Sequence, residues 1–203
     1  INQSLNPQIL TLNAEEIDLI DGNITARAPY PELNIKIRRN GQFVDTALNV
    51  QPGTPLEIII YLDEESRHVY GLLVSFLKVT AITPNNVTQE EVIILNGCSI
   101  DPYIFGNFET LDGGDSVSAK FRAFKFPESN YVKFVGTVNV CLNQCKAVTC
   151  GNGQWGLGRR RRSVGSDPNK VMEAEFSTIL TVKSSPYNWQ FINIKKNTMF
   201  SNT

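Results

Sequence analysis

Four consecutive arginines, Arg159, Arg160, Arg161 and Arg162, stand in the stretch "QWGLGRRRRSVGS", and all four cysteines, Cys98, Cys141, Cys145 and Cys150, precede them. A basic tetrad has three uses. It can contact nucleic-acid phosphates, stand as a solvated loop, or fill the acidic subsites of a furin-like proprotein convertase. Such a protease takes arginine or lysine at fixed distances before the cut and arginine immediately before it. Arg159, Arg160 and Arg161 would supply the distal basic positions and Arg162 the one beside the cut. The formal net charge is -1, from 19 basic and 20 acidic residues, whereas a nucleic-acid binder carries a basic surplus along one face. Gly158 and the glycine in "SVGS" let this loop enter a protease cleft as an extended strand. The expected reaction is therefore peptide-bond cleavage after Arg162 and before Ser163.

An even number of cysteines suggests disulfides or a zinc centre. Zinc wants well-spaced soft ligands, often with histidine; the single histidine, His68, is far away, and no C-x-x-C pair exists. Three sequons, at Asn2, Asn23 and Asn86, join the cysteines in favouring the oxidising secretory route and an extracellular location. The turn "TPNNVT" puts Asn86 at a loop tip, where a glycan is accessible. Four cysteines permit three pairings, and spacing does not choose among them. Catalysis has little to use. Asp63-Glu64-Glu65 lies in a turn, His68 has no nucleophile in a recognisable motif, and "TLDGGDSV" lacks a calcium-loop spacing. We expect no enzyme, no cofactor, no metal and no nucleic-acid partner. No run approaches the roughly 20 apolar residues of a membrane span. The chain begins at Ile1 without a signal segment, so it reads as a soluble piece of a longer precursor whose membrane anchor lies elsewhere.

The elements that must position these residues are strands. Residues 1–30 are polar, uneven and linker-like, closing at "ARAPYPE", although "ILTLNAEEIDLI" offers a strand. From Leu33 onward come short apolar runs: "LNIKIR", "FVDTALNV", "LEIIIYL", "YGLLVSFLKVTAI", "EVIIL", "SVSAKFRAFKF", "YVKFVGTVNVC" and, beyond the arginines, "EAEFSTILTVKS". Turn chemistry such as "RNGQ", "QPGTP", "LDGGD" and "FPESN" separates them. The pattern predicts an all-β, immunoglobulin-like antiparallel β-sandwich over 31–158. Alternation puts Leu56, Ile58, Ile60 and Leu62 on one buried face, and Val132, Phe134, Gly136, Val138 and Val140 on another. Gly136 is out of place there, because a mid-strand glycine buries nothing; something should fill the hole.

In order, "LNIKIRRNGQF", "PLEIIIYL", "VIILNGCSID", "FRAFKF", "YVKFVGTVNVC", "CLNQCKAVTC" and "RRRR" resemble the C-terminal half of a zona pellucida (ZP) module. This is the polymerisation module of egg coats, uromodulin and invertebrate apical matrices. The resemblance runs from about Pro31 to Val182. It implies the pairs Cys98–Cys150 and Cys141–Cys145, the second a small clip at the rim. It also puts Val79 and Gly136 at the positions of a lost third disulfide, with Val79 packed over Gly136. That loss and the tetrabasic site, 159–162, are closer to invertebrate matrix members than to egg-coat ones. The resemblance further implies that 163–203 is a propeptide whose strand, at about 173–183, blocks polymerisation until the cut. Its apolar patch falls on Phe176, Ile179, Leu180 and Val182, while an internal patch at Leu33, Ile35 and Ile37 takes part in pairing between subunits. The expected product is a structural subunit of an extracellular filament or apical matrix, polymerising with itself or with another ZP protein. The rival expectation is an immunoglobulin-like cell-surface binding module that keeps its last strand and stays monomeric.

Overall fold

Valine, isoleucine, phenylalanine and threonine dominate the runs between turns, and such side chains suit a pleated, half-buried surface. The chain accordingly forms strands and, among the described residues, no helix. A computed structural model describes residues 8–10, 18–21, 24–44, 50–83, 89–111, 114–151, 155–156 and 167–183. In chain order the strands are β1 (Gln8–Leu10), β2 (Asp18–Asp21), β3 (Ile24–Arg27), β4 (Leu33–Arg39) and β5 (Gln42–Val44). Then come β6 (Pro55–Leu62), β7 (Tyr70–Ala81), β8 (Glu90–Leu95), β9 (Cys98–Ser99) and β10 (Glu109–Leu111). The last are β11 (Ser116–Arg122), β12 (Tyr131–Leu142), β13 (Val148–Thr149), β14 (Trp155–Gly156) and β15 (Lys170–Thr181).

Two antiparallel sheets face one another as an immunoglobulin-like sandwich. One has the order β1-β15-β12-β7-β8-β9 and the other β10-β11-β6-β4-β5; β2-β3 and β13-β14 are separate ribbons. Asn40 and Gly41, both at positive φ, turn β4 into β5, and Asn96 and Gly97 do the same between β8 and β9. Asn-Gly tolerates the left-handed pair of conformations that a tight hairpin needs. Leu33, Ile35 and Ile37 of β4, with Leu56, Ile58 and Ile60 of β6, meet Val74, Leu77 and Val79 of β7 and Val132, Phe134 and Val138 of β12 in one core. Phe105, Phe121 and Phe134 cluster across the layers, with ring centroids 5.3 Å apart for Phe105–Phe121 and 5.6 Å for Phe121–Phe134.

Segment 1–30, expected as linker, contributes a strand to the larger sheet: β1 pairs with β15 through Gln8↔Ser177, Ile9↔Phe176 and Leu10↔Glu175. The run "SVSAKFRAFKF" stays in strand only to Arg122. Beyond it the Ala123 amide donates to the carbonyl of Thr54, and the Gly53 amide to the carbonyl of Ala123, so the chain leaves the sheet toward the turn before β6.

Candidate functional site

β15 follows the arginines in sequence, and its place in the fold decides what a cut would do. It lies antiparallel to β12 from Tyr131↔Thr181 to Cys141↔Lys170, with a bulge between Val140 and Cys141. On its other side, among the described residues, it meets the three residues of β1. Alternation turns Met172, Ala174, Phe176, Thr178 and Leu180 inward, all buried, and Val182 continues that row just past the strand. Ile179 takes the opposite face and is half-buried, because it is odd in register with Phe176. Counting in twos from Phe176 would have selected Met172, Ala174 and Thr178 in its place.

Both ends of β15 are fastened. At the start, Asp167 Oδ2 accepts the Lys146 amide at 2.6 Å and Oδ1 accepts the Asn169 amide at 3.0 Å. The Leu142 amide donates to the Asn169 carbonyl at 2.7 Å. At the far end the Val182 amide donates to the Asn130 carbonyl at 2.7 Å, and the Lys183 amide to the Val50 carbonyl at 2.9 Å. A parallel bridge joins Val50 and Val182. The seam itself is imperfect. Among the described residues, the buried side-chain polar atoms without a hydrogen-bond partner are Asn139 Oδ1 on β12 and Thr178 Oγ1 on β15. Each such atom costs roughly 1–3 kcal/mol.

Gly136 requires a correction. Val79 does not pack over it; Val79 pairs with Phe134, while Gly136 faces Leu77 on β7 and Phe176 on β15. A Cβ built on Gly136 would lie 2.5 Å from both Cε1 and Cζ of Phe176 and 2.8 Å from the carbonyl oxygen of Phe76. The hole in β12 is thus filled by an aromatic ring from the strand beyond the arginines. Cross-strand register is the physical reason: it sets Leu77 of β7, not Val79, opposite Gly136, and Phe176 of β15 on the other side.

The cystines start from β12 and β9, in the same sheet as β15. Cys98 is bonded to Cys150 and Cys141 to Cys145, with Cα–Cα distances of 5.6 and 5.0 Å. Cys141 is wholly buried, while Asn143 and Gln144 between the two cysteines are exposed. The Cys141–Cys145 clip folds over β7 at Gly71, where an added Cβ would meet the Asn143 oxygen at 2.8 Å and Gln144 Cα at 2.9 Å. From the clip the chain crosses to Cys150, tied to β9 at the opposite edge of the sheet. Among the described residues one group of possible metal-ligating atoms converges, Cys141, Cys145 and Asp167. Its two sulfurs are joined to each other and offer no thiolate.

Leu33, Ile35 and Ile37 sit in the other sheet with their side chains in the core. Pairing between subunits there would have to use the backbone edge of β4, which among the described residues meets β5 at Ile37–Arg39. The expected cleavage site, Arg159, Arg160, Arg161, Arg162 and Ser163, lies outside the described residues, as do the sequons at Asn2, Asn23 and Asn86 in part or whole. His68 is exposed and its Nε2 accepts the Arg67 Nε–H at 3.2 Å. Burial pushes the Asp63 carboxyl up, but hydrogen bonds from Ser66, Glu32 and Glu65 outweigh it and hold the group below its usual 3.8. Burial raises the Tyr70 phenol above its usual value of 10.0. Its hydroxyl donates to the Pro29 carbonyl at 3.0 Å, tying the approach to β4 against β7.

No family model matches this chain, and no curated protein matches it.

Proposed function

We propose that this chain is a structural subunit of an extracellular filament or apical matrix, of the zona pellucida module type, secreted with β15 as an internal plug. A furin-like convertase reads Arg159, Arg160, Arg161 and Arg162 and cuts after the last of them. The plug then leaves, and the subunit pairs with another copy or with another ZP protein.

One observation carries the reading. β15 fills the core and covers the edge of β12 from Tyr131 to Cys141, yet both disulfides lie on the N-terminal side of the arginines. A cut in the run leaves β15 attached to the body, within these residues, by non-covalent contacts alone. Its departure would bare a long strand edge, and an unpaired edge is a template for another strand. β1, whose sheet partner is β15, would lose its place at the same moment. The ordered cysteines, tetrabasic run and apolar strand of the sequence point the same way.

The test compares the secreted full-length protein, with the partner half of the module present, against Arg162→Ala. We expect the native protein to lose the segment that starts at Ser163 and to elute as polymer, and the variant to keep it and remain monomeric. A native protein that is cut, loses the segment and still elutes as a monomer would sink the filament reading. A protein that keeps the segment would favour a monomeric immunoglobulin-like binding module.

A further inference from the structure

We infer that the space over Gly136 is a specificity pocket: the strand that succeeds β15 on the edge of β12 must carry an aromatic side chain opposite Gly136. This rests on the reading of β15 as a removable plug and goes beyond it, because it names the occupant. That occupant is an extended segment of a neighbouring subunit, aromatic at the Phe176 position, small at the Ala174 position and apolar at the Thr178 position.

Shape sets the first requirement. Elsewhere along the inward face of β12 a side chain is already present: Val132, Phe134, Val138 and Val140. Only at Gly136 does the wall recede, and the Phe176 ring enters so closely that its Cε1 and Cζ stand 2.5 Å from where a Cβ would be. The ring is among the largest fully buried side chains of the described residues. With β15 gone, that recess would be open to the incoming strand, lined by β12 backbone and the Phe76 carbonyl. A leucine has the apolarity but not the flat shape; an alanine leaves a cavity in a close-packed interior.

Chemistry sets the second requirement. Two residues further on, β15 presents Thr178, buried, with Oγ1 unpartnered among the described residues. A strand with valine there keeps the shape and removes the orphan hydroxyl, so it outcompetes the resident plug. β15 therefore meets the recess well at Phe176 and fits poorly at Thr178. That combination suits a temporary occupant, held in the correct register but open to replacement.

Strand exchange tests this. The full chain, cut after Arg162, is incubated with fluorescent synthetic peptides spanning Lys170–Lys183, and their uptake is followed by anisotropy. We expect the native peptide to exchange, Phe176→Ala to bind at least about a hundredfold more weakly, and Thr178→Val to bind about five- to tenfold more tightly. In a Gly136→Ala body the preference for phenylalanine over alanine should fall below about tenfold; contact with the Phe76 carbonyl weakens both peptides and cancels in the ratio. A Phe176→Leu or Phe176→Ala peptide that exchanges as tightly as the native one overturns the pocket and leaves the removable plug standing. The pocket is also overturned by a preference that survives intact in the Gly136→Ala body. Failure of every peptide to exchange, the native one included, overturns the removable plug and this inference with it.

Discussion

Cutting after Arg162 should make the stability of this protein depend on dilution. In the uncut chain, β15 meets its seat at an effective concentration of order millimolar, the usual range for a segment on a short tether. Once cut and diluted to about a nanomolar, it meets the seat about a millionfold less often, equivalent to about 8 kcal/mol. What opposes departure is the inward row. Met172, Phe176, Leu180 and Val182 are all buried, and at roughly 1.5–3 kcal/mol each they supply about 6–12 kcal/mol before the cost of ordering the strand. The loss of the tether therefore consumes most of the hold. Thermal melting followed by near-ultraviolet circular dichroism or tryptophan emission reads this directly. The uncut protein should melt at one temperature over a thousandfold dilution. The cut protein should melt lower, and lower still as it is diluted. A cut protein whose melting point matches the uncut one at every dilution, with the segment co-eluting, would refute the idea that covalent continuity keeps β15 seated.

The two cystines should differ in worth. Cys98–Cys150 spans a sequence separation of 52 and Cys141–Cys145 one of 4, so chain-entropy reasoning gives about 4 and about 2 kcal/mol; paired Cys→Ser variants compared by urea unfolding should rank in that order. Gly71→Ala puts a Cβ against backbone atoms of Asn143 and Gln144; denaturation midpoints should show a loss of about 1–3 kcal/mol, with the clip displaced. Tyr70 gives a pH signature. Its folded-state pKa is raised by burial, so its contribution is intact below about pH 10 and is lost as pH climbs through the folded value. Urea unfolding between about pH 8 and pH 11 should show a steeper alkaline decline in the native protein than in Tyr70→Phe, and equal slopes would exclude this phenol as the source.

Much of the sandwich was written locally. "LEIIIYL" and "YVKFVGTVNVC" alternate with period two and became β6 and β12 with the expected residues inward. The Asn-Gly of "RNGQ" carried an equally plain turn signal, and it joins β4 to β5. Gly136 was legible as an anomaly but not as a pocket. Its filler comes from a strand far along the chain whose register with β12, Gly136↔Phe176, no local pattern encodes. The same holds for Asp167, a single carboxylate in a polar stretch; only the fold brings it to the Lys146 amide. β1 was faint because three residues are too few to display a period. The disulfide pairing came from likeness to a family, since four cysteines in sequence leave three choices open.

Fastening is unequal across the molecule, and this bears on how release would proceed. The body from β4 to β13 is cross-linked twice by cystines, whereas β15 is held by strand pairing, an apolar row and hydrogen bonds at its two ends. A cut at Arg162 touches none of these, because the first fastener, Asp167, lies beyond it and keeps its contact with the clip. Cleavage alone therefore does not open the seam. It removes only the guarantee that a strand which has slipped off returns to its own seat. Peeling from the Asp167 end must break the contacts to Lys146 and Leu142 before any core residue leaves, and peeling from the other end must first free Val182 and Lys183 from Asn130 and Val50. Each route is a short barrier in front of a cooperative row. A competing strand lowers that barrier by occupying the edge of β12 as it is bared. Plug loss should then be slow in the isolated cut protein and accelerate with the concentration of a matching strand. A release rate independent of added strand would mean that dissociation, rather than exchange, governs loss of β15.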